Sequence, residues 1–347
     1  MEEQKWRIKS CQLWLQGGDK NSTFFHKQTT VRQIRNNVTS ITDDEGQLQT
    51  SQDAIKRAAS KHYSVLLTET KEAEDYSNLL QYLPTEINDE FNDDITKDIE
   101  EEEIQRAIWA LQLDKAPCPD GFPISFYRSH WGTIKKDLVK MIKWAQLKNK
   151  IGGFTNATHL ALLPKEKRPS TFSRFQPISL CNSSYKILNK IIATRLKPIL
   201  PSLISENQGG FLANRQISDS ILLVQEAIHS SQVRKEKGFI LKLDLANAFD
   251  RVQHSFLLVF LKKMGSTPPF INLVQACISG PWISPLINGR PGPSFQSSRG
   301  LRQVCPLSPY LFILIVESFS RALDYKCHTG LITGIKFGNG FKNINHS

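Results

Sequence analysis

The chain is poor in the features that mark several common protein classes. Its six cysteines, Cys11, Cys118, Cys181, Cys277, Cys305 and Cys327, stand far apart, and none forms a C-x-x-C pair. Neither a zinc site nor a disulfide framework is indicated, and free thiols in a reducing compartment are expected. No G-x-G-x-x-G follows a candidate strand and no G-K-S/T occurs, which argues against a Rossmann dinucleotide fold and a P-loop. The opening stretch, MEEQKWRIKS, is charged where a signal peptide would carry an apolar core. The longest apolar run, residues 311–316, is far too short to cross a bilayer. No internal repeat or low-complexity tract is present. These absences together predict an intracellular protein that does not associate with membranes.

What is there is a chain of 347 residues, 40% hydrophobic, with a formal net charge of +11. That is enough apolar material for a real core and enough length for about two domains. The charge is unevenly spread. Residues 86–103 are dominated by acids, so the remainder is more basic than the total implies. A basic surface of this size suits a polyanion, nucleic acid before membrane, although a merely soluble basic protein accounts for the charge equally well.

The stretch on which the reading turns is GFILKLDLANAFD, residues 238–250. With a period of two, Phe239, Leu241, Leu243 and Leu245 share one face, and Ile240, Lys242 and Asp244 share the other. The pattern predicts a half-buried strand with a carboxylate near the end of its working face and an aromatic, Phe249, just beyond. An acid in that position can hold a divalent metal that activates a phosphate oxygen, and a ring five residues on can floor a sugar pocket. The same acid could equally cap the next helix or sit in a solvated turn.

Around this stretch the periodicity predicts a hairpin at Asp44-Glu45-Gly46 and a helix from Ser51. An acidic connector covers residues 86–98, with helices over about 98–113 and 134–147. NATHLALLPK (156–165) reads as a strand, and Ser183 or Ser184 as the cap of a helix buried through Ile187, Leu188, Ile191, Ile192 and Leu196. A helix over about 218–234 would bury Ile221, Leu222, Val224 and Ile228. A further helix over 255–264 ends at Gly265, and a strand over 283–287 turns at Asn288-Gly289. A last helix starts with Ser308 as its cap and Pro309 as its first residue. Two short strands are expected around Asn339-Gly340. The order predicts an α+β fold, an antiparallel sheet packed on helices with the carboxylate strand at its centre.

Several segments in order, WLQGGDKNSTFFH (14–26), KAPCPDG (115–121), LLPK, FQPISLCN (175–182), KILNKIIATRL, ISENQGGFLANRQISDSILL, KLDLANAFDRV and RGLRQVCPLSPYLF, resemble the reverse transcriptase of non-LTR retrotransposons, the long interspersed element type common in plant genomes. The resemblance covers nearly the whole chain. It implies a right-hand polymerase, here the fingers and part of the palm, preceded by a mostly helical N-terminal extension. It divides the chain into a linker (1–85), the extension (86–154) and the reverse transcriptase domain (155–347). It assigns Asp244 as the first metal-binding aspartate, Phe249 as the gate against ribonucleotides, Lys165 as a contact to the incoming triphosphate, and Gln303 as the glutamine against nucleotide and template. Mg2+, in a two-metal site, is the implied cofactor. An RNA template, a DNA primer and deoxynucleoside triphosphates are the implied partners. A group II intron maturase shares the palm logic and is the runner-up family.

The departures are as specific. Gln176 stands where the family has Arg, Val304-Cys305 where it has Gly-Asp, Asn247 where it has Lys, and Cys118 where it has Gly. A β-branched Val does not easily take a backbone shape that Gly permits. FKNINHS looks like the entry to the strand bearing the family's Asp-Asp pair, and the chain ends before that pair. The expectation is a polymerase fragment inactive by itself, or a decayed remnant that binds nucleic acid without specificity. Asp250 is weighed as a substitute metal ligand and set aside, since it lies one residue past the gate.

Overall fold

The computed structural model describes residues 22–69, 75–113, 115, 118–212, 214–235 and 238–333. Most of WLQGGDKNSTFFH, the FKNINHS run and the hairpin expected around residues 339–340 lie outside them.

A first helix, α1 (Ser22–Asn36), leads into a small hairpin, β1 (Ile41–Thr42) and β2 (Leu48–Gln49), turned at Gly46 with φ +81°. The helix expected from Ser51 is α2 (Gln52–Leu66), and Ser51 caps it by accepting from Ala54 N at 3.2 Å. The main sheet is built from β3 (Thr158–Pro164), β4 (Phe175–Cys181), β5 (Trp282–Ile287), β6 (Arg290–Pro291) and β7 (Phe295–Gln296). Its path is β4-β3-β5-β6, with β7 also on β5. The expected antiparallel sheet is in fact mixed. β3 runs antiparallel to β4 but parallel to β5, and the helices between β4 and β5 supply the long crossover that a parallel pair needs.

Residues 86–98 are more than a connector. They contain α3 (Asp89–Thr96), capped by Asn88 Oδ1 on Phe91 N at 2.9 Å. The buried Asn92 on this helix donates from Nδ2 to Gly265 O at 2.9 Å and accepts from Thr267 N at 3.0 Å. Gly265 has φ +99°, and a Cβ there would meet Ile87 O at 2.8 Å, so the glycine expected as a helix cap is also required by this close approach. Next come α4 (Glu101–Ala110) and α5 (Trp131–Lys148). Glu103 of α4 receives Arg195 by two parallel bonds of 2.8 and 2.7 Å, which ties the acidic stretch to the next helix.

That helix, α6 (Ser183–Leu196), is the centre of the larger core and buries every apolar residue expected of it. Its cap is Asn182 rather than either serine, and the Asn182 side chain bonds to Phe154 O and Asp120 N instead of to the helix. Around it pack α8 (His254–Lys263), α9 (Pro268–Ile278) and α10 (Ser308–His328). The N-cap of α10 is Leu307, one residue earlier than expected, with Ser308 already helical. A smaller core joins α2 to the sheet through Ile55, Tyr63, Leu160, Phe172, Phe175, Ile283 and Ile287. Asn288 (φ +52°) and Gly289 (φ +78°) make the turn between β5 and β6, as predicted.

Two expectations fail together. The helix α7 (Ile217–Arg234) buries only Ala227, while Ile221, Leu222 and Ile228 face outward. Residues 238–245, expected as the central half-buried strand, form no strand, and Phe239, Leu241, Leu243 and Leu245 are 61–89% exposed. A strand exists only with a neighbour to bond, and among the described residues none pairs with this segment. The interior strands of the sheet are β3 and β5.

Candidate active site

The site forms where the chain turns inward after the exposed segment. Asn247, with φ +54°, closes a turn in which its carbonyl accepts from Asp250 N at 2.9 Å. A short 3-10 turn, Phe249–Arg251, follows. It is held by the stretch Arg299–Leu301: Leu301 N donates to Phe249 O and Gly300 N to Val252 O, each at 2.7 Å. Gly300 has φ +89°, and a Cβ on it would lie 3.0 Å from Asp250 O, so only glycine lets these backbones approach. The His254 ring donates from Nε2 to Gly300 O at 2.8 Å, and burial lowers its pKa, which keeps the imidazole neutral.

This pairing carries Gln303 to Asp250. Gln303 Nε2 donates to both carboxylate oxygens, at 3.1 and 3.2 Å, and its Oε1 accepts from Gln176 Nε2 at 3.4 Å. Asp250 is only 5% exposed. Burial pushes its carboxyl up to about 6, against the opposing pull of the Gln303 bond and the nearby Lys165 charge. Lys165 follows β3, with its amide bonded to Arg174 O at 2.9 Å and its side chain exposed. Phe249 stacks on Phe312 of α10, centroids 4.6 Å apart and planes 18° apart, so one ring face has a rigid backing.

Of the four residues singled out by sequence, Lys165, Phe249 and Gln303 therefore gather around Asp250. Asp244 does not join a buried group: its segment is exposed, as is its own side chain. The residue that sequence reasoning set aside, Asp250, is the hub. Its signal in the sequence was adjacency to Phe249, but its burial depends on the Arg299–Leu301 pairing, which no local pattern reveals. Gln176, noted only as a lost arginine, closes the chain of amides.

The departures have visible geometry. Val304 has φ +72°, the left-handed region where glycine would sit without strain, and its side chain is exposed. Cys305 is buried against Tyr185, Sγ to Oη 4.0 Å, and burial pushes its thiol up to about 11.

Over residues 163–338 the sequence matches the family Reverse transcriptase (RNA-dependent DNA polymerase). The chain belongs to this family. It is similar to the Transposon TX1 uncharacterized 149 kDa protein of Xenopus laevis, 27% identical over 90% of this chain and 24% of that protein. It is also similar to the Retrovirus-related Pol polyprotein from type-2 retrotransposable element R2DM of Drosophila melanogaster, 28% identical over 67% of this chain and 21% of that one. The chain thus spans about a quarter or less of the length of these relatives. Among solved structures, the Partial Cas6-RT-Cas1--Cas2 complex aligns at 18% identity and a TM-score of 0.38, covering 67% of this chain and 35% of that one.

Reverse transcriptases work with divalent metal ions. Among the described residues, no three His, Cys, Asp or Glu side chains are grouped to hold one. Residues 334–347 contain neither Asp nor Glu. The residues described here do not fit a two-metal site, and the single exposed Asp244 does not make one. No described helix is long and apolar enough to cross a membrane.

Proposed function

We propose that this chain supplies the fingers and part of the palm of an RNA-directed DNA polymerase from a non-LTR retrotransposon of the type common in plants. Its polymerase portion begins near residue 155, and residues 86–154 form the helical extension before it. The observation that carries this reading is the approach of Lys165 and Gln303, from two distant motifs, to Asp250, with its neighbour Phe249 braced on Phe312. In use, Lys165 faces the triphosphate of an incoming deoxynucleotide, where a fixed positive charge offsets charge on the phosphates. Phe249, braced by Phe312, walls off the sugar. Gln303 lies against the base pair between nucleotide and RNA template, its amide fixed by Asp250. Asp244 would offer one carboxylate to a Mg2+ ion, and the described residues supply no second one beside it.

The full chain is tested by retention of a deoxynucleoside triphosphate on an RNA-template and DNA-primer duplex, and by primer extension in Mg2+. Lys165→Ala should weaken nucleotide retention about tenfold, the usual cost of one charge-assisted contact, and Gln303→Ala about fivefold, as for a neutral one. Unchanged retention in both variants would overturn the site. Extension should stay at background, because one carboxylate does not clamp two metals. Magnesium-dependent synthesis would instead show that a second metal ligand is present. Duplex binding itself should fall steeply with salt.

A further inference from the structure

Next to the site, but separate from its working residues, lies a guanidinium that the fold leaves uncompensated. Arg302 is 8% exposed. Its Nη2 donates to Asn156 Oδ1, and its carbon sits 4.0 Å over the Tyr185 ring. Nε and Nη1 are buried and donate to no oxygen or nitrogen of the described residues, and the Cys181 sulfur beside the guanidinium is only a weak acceptor. No described carboxylate pairs with it. Asp250 lines the same cavity but points both oxygens at Gln303.

Its other neighbours supply no negative charge. Burial pushes the Cys277 thiol upward and the Cys305 thiol to about 11. Tyr185 Oη donates to Cys277 O at 2.8 Å, so it carries its proton. A cation-π contact recovers only part of what a desolvated cation loses, and a buried charge without an anion is among the costliest features a fold can carry.

The same cavity is lined by Leu307 and Ser308, the N-cap and first residue of the 21-residue α10. No side chain caps that terminus, so its backbone adds partial positive charge to that of Arg302. Ser297 contributes a further hydroxyl to the lining. The cavity measures about 20 Å³, room for one water-sized particle and too small for a phosphate or a carboxylate.

We propose that this cavity binds a single chloride ion, held between the Arg302 guanidinium and the N-terminus of α10. A monatomic anion fits the volume, accepts from Nε and Nη1 together, and neutralises a charge that a water molecule would leave in place. The proposal does not depend on the polymerase reading.

The test compares thermal unfolding of the full chain in sodium chloride and in sodium gluconate at equal ionic strength, since gluconate is too large to enter. The midpoint should be higher in chloride. At ten times its dissociation constant, chloride should raise the apparent folding constant about elevenfold. Arg302→Met, with folding verified by circular dichroism and a cooperative melt, should lose that difference. Crystals of the unaltered chain soaked in bromide give a readout that does not depend on the variant folding, namely an anomalous peak within hydrogen-bond reach of Nε and Nη1. Equal midpoints in the two salts, or no bromide peak at Arg302, would overturn the proposal in favour of a buried water.

Discussion

Two apolar stretches of this chain, both expected as strands, meet opposite fates. THLALLP, residues 158–164, becomes the interior strand β3, bonded on both edges, with Thr158 and Leu160 buried. GFILKLDL, residues 238–245, is at least as apolar and as regular in its alternation, yet it lies exposed and unpaired among the described residues. The helices preceding the site repeat the contrast: α6 buries its stripe completely, while α7 buries one alanine. Alternation therefore states which face a strand would bury if a neighbour existed, and says nothing about whether one does.

The contrast can be broken at several points. The largest effect should come from truncating matched apolar residues on its two sides. Ile187→Ala, in the fully buried stripe of α6, should cost about 2 to 5 kcal/mol by transfer and cavity terms together. Leu243→Ala should change stability by less than about 0.5 kcal/mol. Paired denaturant titrations measure both, and a large loss at Leu243 would show that the 238–245 segment is packed in solution after all.

Asp250 marks the point where the exposed segment enters the interior, and pH reads that boundary. Its folded pKa is raised, so the stability it allows is fully present below the unfolded value near 4. That stability is lost as pH rises towards about 6. Asp250→Asn keeps an oxygen for Gln303 without the buried charge. The variant's stability relative to the unaltered chain should therefore grow by about 2 to 3 kcal/mol between pH 4 and pH 7. A difference that does not change with pH would mean that the Asp250 carboxyl is hydrated, like those of the exposed segment.

The smallest effect concerns Val304. Returning it to glycine relieves a left-handed β-branched residue but frees the unfolded chain, and the two partly cancel. Val304→Gly should raise stability by up to about 1 kcal/mol, seen as a small rise in Tm. A loss would indicate that the valine side chain makes a packing contact outweighing its backbone strain.

Much of the architecture was legible because it rests on local chemistry. Ser51 caps a helix through its own third neighbour, Asn288-Gly289 turns a hairpin through its own dihedrals, and α6 advertises its buried face at helical spacing. The candidate site was half legible. Lys165, Phe249 and Gln303 were found through motifs, whereas Asp250 was passed over and Asp244 was expected on a paired strand. Both differences have one cause. Whether a carboxylate is buried depends on segments far away in sequence, here residues 299–303.

The sequence alone determined the family and the positions of most helices and turns, because propensity, capping and motif order act within a few residues. Tertiary structure decided the mixed sheet, the burial of Asp250 and the uncompensated interior position of Arg302. Each of these depends on which distant backbone fills the space beside it, and excluded volume and desolvation act only once the chain is assembled.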